Sequence, residues 1–159
     1  MRVAGLLSIA ALLAWTSASA KPAAANGPEA LLRNIYSKYE HGQFSMDNWL
    51  AFLAPDTKTL VAKARTTDAW DDAIDYDPVC DCQDRARLRL QAIKVVGSGP
   101  NQWRGVVSYT LGGHPDSTGF SLSKTASGWR IEDLLDGSAK QSRLREPLIR
   151  SMKAGTHPL

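Results

Sequence analysis

The chain has 159 residues, 43% of them hydrophobic, which is enough for one domain and hardly two. Nineteen lysines and arginines against 16 aspartates and glutamates give a net charge of +3. That is too small to argue for nucleic-acid binding, so no nucleic acid is expected among the partners.

The chain opens like a secretory signal. Met1-Arg2 is a positive start, Val3 to Trp15 is an apolar run, and Ala18-Ser19-Ala20 is a small-residue cleavage site. Residues 1–20 are therefore expected to be removed near Ala20, leaving Lys21 first in a periplasmic or secreted protein. Loss of Arg2 lowers the net charge by one. The apolar run falls short of the roughly 20 residues that a membrane-spanning helix needs, and no later stretch approaches that length. No membrane span is expected, and no cysteine stands at the cleavage site to carry a lipid.

Residues 21–27, rich in Ala and Pro, read as a flexible lead. A single α+β domain is expected over 28–153, with a tail at 154–159. Pro28 suits the first position of a helix, where its missing N–H costs nothing. Leu31, Leu32, Ile35, Tyr36 and Tyr39 then mark one helical face, and His41-Gly42 ends it. Ser45 is a candidate N-cap for a second short helix carrying Met46, Trp49, Leu50 and Leu53. Asp56 is a candidate cap for a third, through about Ala64.

From Asp84 the period changes to two. Ala86, Leu88, Leu90 and Ala92 alternate with Arg85, Arg87, Arg89 and Gln91, which reads as a half-buried antiparallel strand. The apolar phase then slips to Ile93 and Val95, predicting a bulge. After a turn at 97–101, Trp103, Gly105, Val107, Tyr109 and Leu111 share a face. Gly112 to Pro115 turns again, and a third strand begins with Phe120 and Leu122. Ser127-Gly128 leads into a fourth, Trp129 to Leu135. A short C-terminal helix with Leu144, Leu148, Ile149 and Met152 is expected to start near Arg145, because Pro147 is tolerated only in its first turn. Helices followed by an antiparallel meander predict helices packed on one face of a curved sheet.

Between the helical and the stranded halves lies the stretch Asp68 to Asp84. It contains both cysteines, seven aspartates and no lysine or arginine. The C-terminal segment is its opposite, with Lys140, Arg143, Arg145, Arg150 and Lys153 against the single acid Glu146. The two are either solvated faces or surfaces that meet, within the fold or at a partner.

Residues 75–84, Asp-Tyr-Asp-Pro-Val-Cys-Asp-Cys-Gln-Asp, resemble the Asp-Pro-x-Cys-x-Cys-Gln-Asp signature of a bacterial exported family, numbered 3828 among domains of unknown function. Gly128 to Asp133 resembles that family's Gly-Trp-Arg-Ile-Asp-Asp strand. Ser142-Arg143-Leu144-Arg145 is similar to its terminal Ser-Leu-Arg element, in a different order. The resemblance covers most of the chain after residue 20. It implies a cone-shaped fold like nuclear transport factor 2, with helices leaning on a strongly bent sheet, and it implies no activity. Related cone folds include enzymes, ligand binders and immunity proteins that neutralise toxins from rival bacteria.

Several constellations in this sequence are candidates for chemistry. Cys80 and Cys82 are expected to form a disulfide in an oxidising compartment, which requires a turn at Asp81. A redox-active pair is the alternative, although no lysine or histidine lies nearby in sequence to favour a thiolate. Asp75, Asp77 and Asp81 are weak calcium candidates, lacking the glycine and the closing glutamate of an EF-hand loop. His41, His114 and His157 have no zinc-ligand spacing, and no cofactor is expected. By strand alternation Asp84 and Asp133 point into the apolar side of the sheet, so each needs a partner or a raised pKa. They are the catalytic candidates of an enzyme reading, since ketosteroid isomerase, a cone-fold enzyme, uses two aspartates. Structural hydrogen bonding is the plainer expectation for both. Trp70, with Asp71 and Asp72, is the candidate interaction surface. Together these features predict a binding module whose partner is a protein or small ligand in the envelope, an immunity or inhibitor protein being its sharpest form. The alternative is a cone-fold enzyme or small-ligand binder. No oligomeric state is implied.

Overall fold

The computed structural model describes residues 26–74, 76–83 and 87–155. The expected signal peptide, most of the lead, Asp75, Asp84 and the last residues of the tail lie outside the described residues.

Among the described residues five α-helices and four strands follow in order: α1 (Pro28–Glu40), α2 (Met46–Trp49), α3 (Pro55–Ala64), α4 (Ala69–Ala73), β1 (Leu88–Gly99), β2 (Gln102–Leu111), β3 (His114–Thr125), β4 (Gly128–Leu135) and α5 (Arg145–Ala154). The strands form one antiparallel meander in the order β1-β2-β3-β4. The fold is α+β, helices against a curved sheet, with a short helix at the C-terminus.

Helix α1 begins at Pro28, and its Leu32, Ile35, Tyr36 and Tyr39 are buried. It lies on the sheet face that carries Leu88, Val107, Tyr109, Phe120, Leu122, Ile131 and Leu134, all of them buried. Full burial of one such aliphatic or aromatic side chain is worth about 1.5–3 kcal/mol, so this interface is the main source of stability. Gly105 allows the close approach: a Cβ there would lie 2.8 Å from Leu32 Cδ1. At the far end of α1, Glu40 Oε1 accepts the Leu90 backbone N–H at 3.0 Å, which ties down the outer edge of β1.

Where the apolar phase slips in β1, the pairing steps from Leu90↔Tyr109 to Ala92↔Ser108, leaving Gln91 as the extra residue of the predicted bulge. A second bulge, in β4, is not legible in the residue pattern. There β3 advances one residue, Leu122 to Ser121, while β4 advances two, Ile131 to Asp133. Asp133 thus pairs with Ser121, out of phase with Leu122 and Phe120. The expectation that Asp133 shares the inner face with Ile131 is corrected by this one-residue shift.

Three further differences are local. The second helix is shorter than expected: Ser45 caps α2 through the Asn48 N–H at 3.2 Å, and Leu50–Phe52 continue as a 3-10 turn. Helix α3 starts one residue before Asp56, with Ala54 as cap and Pro55 at its first position. Strand β3 starts at His114, because the Gly112-Gly113 turn sets Leu111 opposite His114 and the register then carries polar residues 114–119 into the sheet. Their polarity hides them from a periodicity reading.

The outer edge of β4 is covered. Ala54 donates to Ile131 O at 2.7 Å, Thr57 Oγ1 to Glu132 O at 2.6 Å, and the Arg143 N–H to Leu134 O at 2.7 Å. A sheet edge closed in this way offers no template for further strands. The loop after β4 crosses the outer face of the sheet, where a Cβ on Gly119 would collide with the Asp136 carbonyl and Ala139. Arg104 Nη1 donates to Ala139 O at 2.6 Å from the same side. This loop leads into α5, which packs against α3 and α4.

Candidate functional site: the acidic disulfide turn

The acidic stretch divides into a short helix and a tight turn. Asp68 to Ala73 forms α4 and its cap, an element that the sequence reading left unassigned. The chain then runs through Tyr76 and Asp77 into the turn 78–82. Cys80 and Cys82 are disulfide-bonded with Cα atoms 5.2 Å apart, as expected. Asp81 between them takes φ +53°, the left-handed turn that the bridge requires. Aspartate enters that region more readily than most side chains. The Asp77 N–H donates to Cys82 O at 3.2 Å and closes the base of the turn.

The inner side of this turn is fastened to the sheet by hydroxyls. Tyr36 Oη donates to Val79 O at 3.2 Å, and Thr118 Oγ1 donates to the same carbonyl at 2.7 Å. Tyr109 Oη donates to Cys80 O at 2.8 Å and lies 3.1 Å from Thr118 Oγ1. Val79 and Cys80 are fully buried, so these carbonyls have no water to turn to and need such donors. Burial, then the neighbouring Tyr109, raises the Tyr36 pKa well above its ordinary value. Burial likewise pushes Tyr109 up to about 12. Both therefore remain neutral donors at physiological pH. Both cysteine sulfurs sit in this buried environment, which favours a structural bridge over an exposed, exchangeable one.

The weak calcium candidates are separated by their contacts. Asp77 Oδ1 accepts from Tyr39 Oη at 2.7 Å and from the Val79 N–H at 3.0 Å, a turn made by its own side chain. Asp81 pairs with Arg143. Asp75 lies outside the described residues.

That Asp81–Arg143 pair joins the acidic stretch to the basic C-terminal segment. A second contact is Ser151 Oγ to Asp72 Oδ2 at 3.4 Å, between α5 and α4. The opposite charges of the two segments therefore meet within the fold.

Asp133 holds the start of α5. Its Oδ1 accepts the Arg145 N–H at 3.0 Å, one of the N–H groups a helix start leaves unpaired. Arg145 Nη1 in turn donates to Thr57 Oγ1 at 2.7 Å. Burial raises the Asp133 pKa above its ordinary value, and the Arg145 N–H and Ser142 hydroxyl partly offset that rise. Asp84, the other half of the candidate catalytic pair, lies outside the described residues.

Tyr76, 44% exposed, stands as a ridge between two grooves. On one side, a groove of about 450 Å³ is lined by Met46, Trp70, Asp71, Ile74, Tyr76 and Gln83 among others. On the other, a groove of about 230 Å³ includes Asp72, Tyr76, Pro78, Asp81, Arg143 and Pro147. Asp72 lines the second groove, and Trp70 and Asp71 line the first. Tyr76, Met46 and Ile74 were missed as part of it. An aromatic placed between aspartates was the available signal for Tyr76; Met46 arrives from α2, and only the fold brings it there.

The chain matches no protein-family model, no curated protein and no solved structure.

Proposed function

We propose that this protein is an exported binding module of the bacterial envelope, with its partner docking on the outside of the domain. The observation that supports this reading best is the filled inner face of the sheet. Tyr36, Tyr109, Phe120, Leu32, Leu122 and Leu134 occupy it and are at most 1% exposed. A cone-fold enzyme or small-ligand binder would need that space for its substrate. Tyr76 is exposed between two grooves on the outside of the domain. Export rests on the charged start, short apolar run and small-residue cleavage site of residues 1–20. An immunity or inhibitor protein for an envelope-targeting toxin, one of the roles found among related cone folds, is the specific form.

The test is capture. Exported protein, verified by mass spectrometry to begin at Lys21, is immobilised and exposed to envelope extract. A polypeptide retained in stoichiometric amount, and still retained by Asp133→Asn, is the expected result. If it is a toxin, co-export should protect cells from it. Retention of nothing by the parental protein counts against the reading.

One observation favours the enzyme alternative, the raised pKa of Asp133. Its carboxylate is already engaged by the start of α5, so the cost of burying a helix cap accounts for the shift. Loss of binding with Asp133→Asn at unchanged stability would revive the enzyme reading.

A further inference from the structure

The groove between α2, α4 and Tyr76 has a chemical character that narrows its occupant. Its walls are apolar and aromatic. Trp70 is half-buried and packed against the core, as is Met46, so the indole is held in place while one part of it faces the groove. Tyr76 is exposed beside it. The formal charges on its lining are Asp71 and Asp77, and no lysine or arginine is among the described residues that line it. Asp71 is exposed and makes no ion pair or hydrogen bond among the described residues. Asp68, one helical turn away, is exposed on the same helix start.

Across the Tyr76 ridge, the molecule shows what such a surface accepts. There the exposed Asp81 is paired with Arg143, a guanidinium that reaches in from the C-terminal segment beside Tyr76 and Pro147. The two grooves share Tyr76 and Ile74 and are both acidic. In one, Asp81 is paired from within the chain, and in the other Asp71, beside two aromatic rings, has no cation among the described residues. A flat cation stacked on an aromatic face with a carboxylate at its edge satisfies both parts of that surface.

We infer that the Trp70–Tyr76 groove takes an arginine or lysine side chain from a basic segment of a partner protein, with Asp71 as the counter-ion and the two rings as the stacking surface. This inference rests on the binding-module reading and adds the chemistry of the partner. Acidic partners are disfavoured by Asp71 and Asp77 on its lining. Part of the recognition is electrostatic, so the association weakens as salt rises.

The experiment follows 15N-labelled protein by NMR as a short arginine-containing peptide is added. A peptide identical but for citrulline, which keeps the shape and removes the charge, is the control. The Trp70 indole N–H and the Tyr76 amide are expected to shift saturably with the arginine peptide, and not with the citrulline one. Asp71→Asn should weaken binding by up to about fivefold, the scale of an exposed ion pair, and Tyr76→Ala by roughly two- to fivefold, the scale of an exposed cation–π contact. Both variants are surface changes whose fold is checked in the same spectra. Absence of shifts at Trp70 and Tyr76, equal shifts with citrulline, or full binding by Asp71→Asn would overturn the inference. It would also be overturned, with the binding-module reading left standing, if a partner captured from envelope extract stayed equally bound to Asp71→Asn and Tyr76→Ala. Conversely, an arginine peptide that binds as expected where no envelope partner is retained would support the groove's chemistry and count against that reading.

Discussion

The two sides of the acidic stretch differ in kind although they lie within one short run of sequence. The inner side, Val79 to Cys82, gives its carbonyls to Tyr36, Tyr109 and Thr118 and is closed by a disulfide. The outer side, Asp71 to Tyr76, leaves Asp71 exposed and Tyr76 standing in solvent. An aspartate-rich segment is commonly assigned one fate, a solvated face. Here the fate of each carboxylate depends on what lies beneath it. Asp77 closes a turn, Asp81 meets an arginine of this chain, and Asp71 meets none among the described residues. The inner side serves stability and the outer side is available for recognition.

The comparison is broken most strongly at the disulfide. Replacing both Cys80 and Cys82 by Ala removes a three-residue loop constraint, worth roughly 1.5 kcal/mol in the chain-entropy model, together with the packing of two buried sulfurs. A total loss of about 2–4 kcal/mol is expected in urea unfolding. A loss below about 0.5 kcal/mol, the scatter of neutral surface changes, would mean that the inner side is not a stability element.

Next in size is Tyr109→Phe, which keeps the ring and deletes the hydroxyl that serves Cys80 O and Thr118. It should cost about 1–2 kcal/mol, the scale of a buried hydrogen bond with one partner left behind. It should also change the alkaline limb of stability. The native pKa of Tyr109 is raised from 10.0 to about 12, so between those values the native state holds a proton that the unfolded state has released. Stability therefore falls as pH rises through that window. Tyr109→Phe should show a shallower decline there, with Tyr36 responsible for part of what remains. Thermal melts from pH 9 to pH 12 provide the measurement.

Asp133 tests the frame that holds α5, and with it the basic segment, against the acidic one. Asp133→Ala removes the acceptor for the Arg145 N–H and should cost about 1 kcal/mol, the usual value of a helix cap. Asp133→Asn keeps an oxygen in the same place and removes the buried charge, so it should lie close to the parental protein. The native pKa of Asp133 is raised, hence parental stability falls as pH rises from the ordinary carboxylate range through that raised value. The Asn variant lacks this decline and should gain on the parental protein across the same interval. A constant gap between the two would show that the Asp133 charge is not penalised by burial.

The smallest effect sharpens the contrast from the other side. Tyr76→Ala and Asp71→Asn should each leave stability within about 0.5 kcal/mol, as surface changes do, while altering partner binding. A larger loss of stability in either would place the outer side among the structural elements.

Residue pattern alone was informative wherever a segment has one dominant neighbour. The face of α1, the bulge after Leu90, the inner face of β2 and the start of α5 at Arg145 follow from periodicity and from where proline is tolerated. The turn at Asp81 followed because two cysteines so close in sequence cannot join across an extended chain. Polar stretches were different. Residues 114–119 enter β3 because the Gly112-Gly113 turn sets their register, and nothing in their own composition says strand. The bulge at Glu132 lies where Ala54 and Thr57 cover the β4 edge, and it moved Asp133 from an expected interior position to a helix cap.

What the amino-acid sequence by itself determined, then, was the α+β order of elements, the buried face of each long one and the cysteine pair. These depend on interactions between residues close along the chain and on the uniform demand to bury apolar surface. The tertiary structure alone decided which aspartates are paired, which tyrosines hold the turn, and that Met46, Trp70 and Tyr76 line one groove. Those outcomes depend on distances between segments tens of residues apart, and a charge or a hydroxyl carries no periodic mark of the partner it will meet.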